Sequence, residues 1–260
     1  MWRVSGSWRD LGRAAKEAGG WLSRSAADLF FPPTCPACGR LTMSGGALCA
    51  GCWSQVRFIE KPYCDILGSP FSHDLGDGAV SADAIAHPPD FGRLRSACLF
   101  DGPARDLVHG LKYRDQTELA PMMALWMARA GAELIAASDV LLPVPLHRRR
   151  MLERRFNQAA ELTRALSGVA GLPMLPDAVM RIRNTRHQVG LTRLGRDANV
   201  RGAFRLRDGG ASQIFGRRIL IVDDVYTTGA TVSAIARLLA RSGASEVNVL
   251  TFARALPDTI

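Results

Sequence analysis

Aromatic side chains are scarce in this chain of 260 residues: Phe, Trp and Tyr together make up 7% of it. A protein that grips single-stranded nucleic acid by stacking needs aromatic platforms interleaved with its cations, and no such stripe is evident. Long apolar runs are lacking too. The best candidate, Leu119 to Ala137, carries Arg129 and Glu133 and reads as a buried helix, so no membrane span is expected. The first residues include Arg3, Arg9 and Arg13 but no continuous apolar region, and Asp10 and Glu17 argue against a transit peptide. The expected location is cytoplasmic. Without a secretion signal, the 6 cysteines point away from a disulfide framework. What is present, 47% hydrophobic and 22% charged residues, describes a globular protein with ample material for a core.

Residues 218–234 stand out. Ile219 to Val222 is an apolar, largely β-branched run that predicts a buried strand, with Asp223 and Asp224 where it ends. Val225, Tyr226, Thr227, Thr228, Gly229, Ala230 and Thr231 then form a short hydroxyl-rich turn leading into helix-forming residues. A loop feeding a helix N-terminus offers unpaired N–H groups and the positive end of the helix dipole, which suits a phosphate. Thr227, Thr228 and Thr231 add hydroxyls, and Gly229 allows close backbone approach. Carboxylates repel phosphate, so the acids need another part of the ligand: sugar hydroxyls or a bound metal. A phosphorylated sugar satisfies both halves.

The net charge of +9 is unevenly spread: 16 arginines against five acids lie between His147 and Arg218. Arginine donates to phosphate through a planar fork. A polyphosphate substrate, nucleic acid and a merely solvated basic face all remain compatible with this segment.

Taken in order, residues 1–31 form an imperfectly amphipathic helical segment, closed by Pro32 and Pro33. Residues 32–60 hold Cys35, Cys38, Cys49 and Cys52, two Cys-x-x-Cys pairs ten residues apart that can supply four thiolates to a tetrahedral Zn²⁺. The short spacer leaves iron or an empty site open, and a redox dithiol is disfavoured by the matched pairs. Residues 61–92, rich in Gly, Pro, Asp and His, read as a loop-rich connector in which Cys64 has no partner; Cys98 has none either, and both read as buried thiols. From 93 to 260 strands alternate with helices. Strands are expected at Ser96–Phe100, Val140–Pro145, Ile219–Val222 and Glu246–Phe252, with helices at Pro103–Tyr113, Leu119–Ala136 and Phe156–Ser167. That order predicts an α/β fold with a mainly parallel sheet flanked by helices and ligands beyond the carboxyl ends of its strands.

The run Ile219 to Thr231 resembles the phosphoribosyl pyrophosphate (PRPP) signature of type I phosphoribosyltransferases. Adding Leu111-Lys112-Tyr113, Pro143 to His147, Arg155-Phe156-Asn157-Gln158-Ala159, Gln188, Leu191, Arg196 and Asn199, the chain from about Pro32 to Arg254 resembles the ComF family. That family joins an N-terminal zinc ribbon to a phosphoribosyltransferase domain and is associated with competence for DNA uptake. The resemblance implies that Asp223 and Asp224 meet the ribose hydroxyls, that residues 225–231 hold the 5′-phosphate, and that Mg²⁺ accompanies PRPP. It also implies a pyrophosphate loop at Pro143 to His147, with Pro145 and His147 in it and Arg148, Arg155 or Arg196 as charge partners. Two departures stand out: Arg155 replaces a glycine the family often carries, and a second set of metal cysteines is reduced to Cys64. The acceptor, the oligomeric state and any partner in DNA uptake, whether single-stranded DNA or a protein, are not legible. An active transferase, a PRPP-binding regulator and a DNA-uptake adaptor all remain open.

Overall fold

The computed structural model describes residues 32–183 and 202–256. The expected N-terminal helical segment, and Gln188, Leu191, Arg196 and Asn199, lie outside the described residues.

The centre is a parallel sheet of β1 (Leu94–Leu99), β2 (Val140–Pro143), β5 (Arg218–Tyr226) and β6 (Glu246–Arg254), in the order β1-β6-β5-β2. A small antiparallel pair, β3 (Val179–Arg181) with β4 (Phe204–Leu206), lies apart from it. Alternation along β5 fixes the two layers, because successive side chains leave opposite faces of a strand. Ile219 and Ile221 join Val232, Ile235 and Leu239 of α9 (Ala230–Arg241). Leu220 and Val222 join Leu107 and Leu111 of α3 (Gly102–Tyr113), Met123 and Met127 of α4 (Ala120–Ala130), and Leu162 and Leu166 of α7 (Gln158–Ala170). The α/β architecture expected from the sequence is thus present.

Several boundaries differ. The helix expected over Leu119–Ala136 is interrupted: α4 stops before Gly131, and α5 (Ala132–Ala136) follows. A β-carbon on Gly131 would come within 2.6 Å of a Leu250 methyl on β6, so any larger residue here would have to displace that buried side chain. The strand expected to end at Val222 runs on to Tyr226, with Asp223 paired in register with Thr251. Both acids are therefore strand residues. Helix α6 (Arg148–Arg154), absent from the sequence reading, fills the stretch after His147.

Residues 61–92 hold more order than a connector, for they repeat the module before them. In the first module the Cys35 N–H donates to Arg40 O (2.7 Å), the Gly39 N–H donates to Cys35 O (2.8 Å), and Thr34 bridges Leu41. In the second the Cys64 N–H donates to Ser69 O, the Gly68 N–H donates to Cys64 O (both 2.8 Å), and Tyr63 bridges Pro70. Each module then has a short helix, α1 (Ala50–Trp53) after Cys49 and α2 (Ala82–Ala86) after Ser81. Matched on these bonds and on the N-caps of the two helices, Leu67, Ser81 and Ala84 correspond to Cys38, Cys49 and Cys52. The first module docks through Trp53 and Phe58 against Trp126, with ring centroids 5.4 and 5.0 Å away, while residues 57–59 bond to β1 and cover the sheet edge.

Candidate active site and metal centre

Four sulfur atoms, from Cys35, Cys38, Cys49 and Cys52, lie within 4.8 Å of one another, with Cys38 Sγ and Cys49 Sγ 3.7 Å apart. A tetrahedral zinc with Zn–S bonds of about 2.3 Å needs sulfurs roughly 3.8 Å apart, so the set fits that ion. Burial alone would raise the Cys35 thiol, but backbone N–H groups at Cys49, Cys38 and Ala37 outweigh it and lower its pKa to about 6. Cys64 and Cys98 are fully buried, as expected. Cys64 Sγ accepts N–H bonds from Leu67 (3.4 Å) and Ser81 (3.2 Å), the kind of bond a metal-bound thiolate takes, although its neighbours supply no further sulfur.

Beyond the carboxyl ends of β5 and β2 opens a cleft of about 310 Å³. Asp223, Asp224, Val225, Tyr226, Thr227, Gly229, Ala230, Thr231 and Pro145 all line it. Gly229 has φ +80°, and a β-carbon there would sit 2.5 Å from the Tyr226 hydroxyl, so the turn demands glycine. No side chain caps α9, and its first backbone N–H groups face the turn. Burial first, and then the neighbouring Asp224 charge, push the Asp223 carboxyl up to about 7. Asp224 is buried, and Lys112 Nζ lies 2.9 Å from its Oδ2.

Three expected residues lie elsewhere. Thr228 turns away from this cleft, its Oγ1 buried without a partner among the described residues. His147 caps α6, its Nδ1 accepting from the Arg149 N–H at 3.2 Å. Arg155 points outward, its side chain 84% exposed and 3.7 Å from Asp115; its neighbour Arg154 lines the cleft instead. The reason is local: Arg155 ends α6 in the left-handed conformation, φ +63°, which swings its side chain off the helix face that Arg154 presents.

Sequence reasoning assigned no role to Lys112, Arg154 or Gln158, though all three line the cleft. Gln158 is 2% exposed, with Oε1 accepting from Arg154 at 3.3 Å and Nε2 without a partner among the described residues. Its neighbour Asn157 donates from Nδ2 to Val144 O (3.0 Å) and caps α7 through Oδ1, clamping the Pro143–His147 loop to the helix. Lys112 and Gln158 both sit inside motifs the sequence displays; what it hides is that they face one cavity.

The phosphoribosyl transferase domain family matches residues 185–259, and the double zinc ribbon domain family matches residues 26–85, across both repeats. A zinc ribbon joined to a type I phosphoribosyltransferase fold is therefore the class of this protein. Among its relatives, "Competence protein F" of Haemophilus influenzae is 30% identical over 232 residues, spanning 87% of this chain and 99% of that one. "DNA utilization protein YhgH" of Escherichia coli K12 is 32% identical over 235 residues, spanning 88% of this chain and all of its own. The chain belongs to the ComF family. Solved structures are more remote: an orotate phosphoribosyltransferase from Aeropyrum pernix matches with a TM-score of 0.33 at 16% identity, over 65% of this chain and 84% of that one. Among the described residues no helix is long and apolar enough to cross a membrane.

Proposed function

We propose that the protein binds PRPP with Mg²⁺ in the cleft at the end of β5 and transfers its ribose 5-phosphate to a nitrogen acceptor, acting in the cytoplasm in the handling of incoming DNA. The observation that carries this reading is the convergence of Asp223, Asp224, Thr227, Gly229, Ala230 and Thr231 on one cavity. Carboxylates there accept from the ribose hydroxyls, while the turn and the N-terminus of α9 donate to the 5′-phosphate. Pro145 and the clamped loop before α6 border the pyrophosphate, with Arg154 rather than Arg155 as the nearer cation. In the reaction the bond from ribose C1 to the pyrophosphate oxygen breaks and its electron pair leaves with pyrophosphate. The acceptor nitrogen bonds to C1 and releases its proton to water. Charge develops on the leaving group, so fixed cations facing it lower the barrier. The link to DNA rests on the names of the relatives.

The Lys112–Asp224 pair favours a second reading, in which PRPP binding is a signal without turnover. A cation already seated on the ribose-binding acid must be displaced or shared before the sugar enters. Calorimetric titration of PRPP with and without Mg²⁺, with pyrophosphate followed in the same tube against a panel of bases and amines, separates the two. Turnover supports the transferase; Mg²⁺-dependent binding that Asp224→Asn abolishes, with no pyrophosphate, supports the signal. No PRPP binding at all refutes both. A DNA-adaptor role requires affinity for single strands that falls steeply with salt.

A further inference from the structure

The first turn of α7 forms one wall of the cleft, where Asn157, Gln158 and Ala159 lie beside Val144, Pro145 and Leu146. This wall is rich in donors. Asn157 Oδ1 accepts from the Ala159 N–H at 3.1 Å, and the Glu161 N–H donates to Asn157 O at 3.0 Å, which opens the helical ladder. The other N–H groups of the first turn stand outside that ladder, at the positive end of a helix of 13 residues.

A helix N-terminus alone defines no ligand, but Gln158 adds an independent sign of one. The side chain is buried, and the direction of its amide is fixed by its neighbour: Arg154 Nη1 donates to Oε1 at 3.3 Å, and the reverse placement would set two donors against each other. Nε2 is therefore the end left over, buried and without a partner among the described residues. An unmatched buried donor lowers stability in a way that an apolar side chain of similar size would not. Retaining one on the wall of a cleft is accounted for if a bound oxygen completes it. Arg154 lines the same cleft, with its guanidinium carbon 5.3 Å from the centre of the Tyr113 ring. A cation and a neutral donor, joined by one hydrogen bond, thus stand together beside the clamped loop.

Resting on the reading that the cleft binds PRPP, we propose that Gln158 donates through Nε2 to the pyrophosphate group and, through Oε1, holds Arg154 against the same group. The seat for the pyrophosphate then extends beyond the Pro143–His147 loop onto the first turn of α7. The 5′-phosphate, held at the turn before α9, makes no contact with Gln158. A hydrogen bond to an anion strengthens as the charge on that anion grows, so the contact is worth more as the pyrophosphate departs than before.

The test is calorimetry on the full-length, zinc-loaded protein with Mg²⁺, comparing PRPP with ribose 5-phosphate, which lacks the pyrophosphate. Gln158→Glu keeps the shape and the acceptor for Arg154 but removes the donor, while Gln158→Met removes both without adding charge. In each variant, shown by circular dichroism to be folded, PRPP affinity falls at least tenfold and ribose 5-phosphate affinity stays within threefold of the parent's. PRPP binding that folded Gln158→Met leaves unchanged overturns the proposal. So does a folded variant that loses both ligands alike, which would tie Gln158 to the shape of the ribose site instead. Loss of fold in both variants also overturns it, because the side chain would then be structural. A parent protein that binds no PRPP at all overturns the PRPP reading and this role together.

Discussion

Arg155 holds a backbone conformation, φ +63°, that L-residues avoid, at the C-terminal cap of α6 where helices favour glycine. The left-handed conformation costs a side-chain-bearing residue about 1–2 kcal/mol. Glycine removes that cost but adds about 0.4–1 kcal/mol of unfolded-chain entropy, so the net gain of Arg155→Gly over Arg155→Ala is about 1 kcal/mol. Comparing these two variants, rather than Gly with the parent, cancels the Asp115 ion pair, which is exposed and weak at 3.7 Å. For a chain of this size that gain raises the melting temperature by about 2–4 °C. Differential scanning calorimetry of both variants measures it. A Gly variant no more stable than the Ala variant would refute the reasoning and show that the loop before α7 relaxes without strain.

The raised pKa of Asp223 makes stability depend on pH: between about 4 and 7 the folded state binds the extra proton, so stability falls as pH rises through that window, by up to roughly 4 kcal/mol. Asp223→Asn removes the effect, so the gap between variant and parent in urea denaturation should widen with pH, and parallel curves would count against it. Purified protein should carry one zinc per chain by atomic absorption, and chelation should lower its melting temperature, since the metal holds Cys35, Cys38, Cys49 and Cys52 together. A triple variant, Leu67→Cys, Ser81→Cys and Ala84→Cys, joins Cys64 to rebuild a four-thiolate site and should double the zinc content; a folded variant that still holds one zinc would sink the correspondence between the repeats.

Much of this architecture was legible because local signals and global fold agree. The β-branched run at Ile219 to Val222 had to be buried on both faces, and the turn at Thr227 to Thr231 had to precede a helix. Matched Cys-x-x-Cys pairs declared the first ribbon. Long-range pairings left weaker traces. Nothing near Lys112 in the sequence announces Asp224, and nothing near Arg254 announces Leu67, since each contact closes only when the sheet forms. Arg155 and Arg154 look alike in the sequence, and a single backbone angle decides which of them faces the cleft.

The second ribbon shows most clearly why composition could not carry the whole reading. Counting cysteines finds one there, yet the turn that shapes a ribbon is made by backbone N–H groups and a left-handed glycine: Gly39 at φ +73° in the first repeat, Gly68 at φ +60° in the second. The shared pattern is Cys-x-x-Cys-Gly against Cys-x-x-Leu-Gly, visible only once the glycine is weighed as heavily as the thiols. Burial explains why one repeat keeps four thiolates and the other does not. Among the described residues neither apolar cluster includes Cys35, Cys38, Cys49 or Cys52, so metal supplies the cohesion. Cys64, Leu67 and Ala84 instead join the core cluster of Leu94, Val247 and Val249. A buried leucine contributes about 1.5–3 kcal/mol, enough to hold the turn against the sheet without an ion.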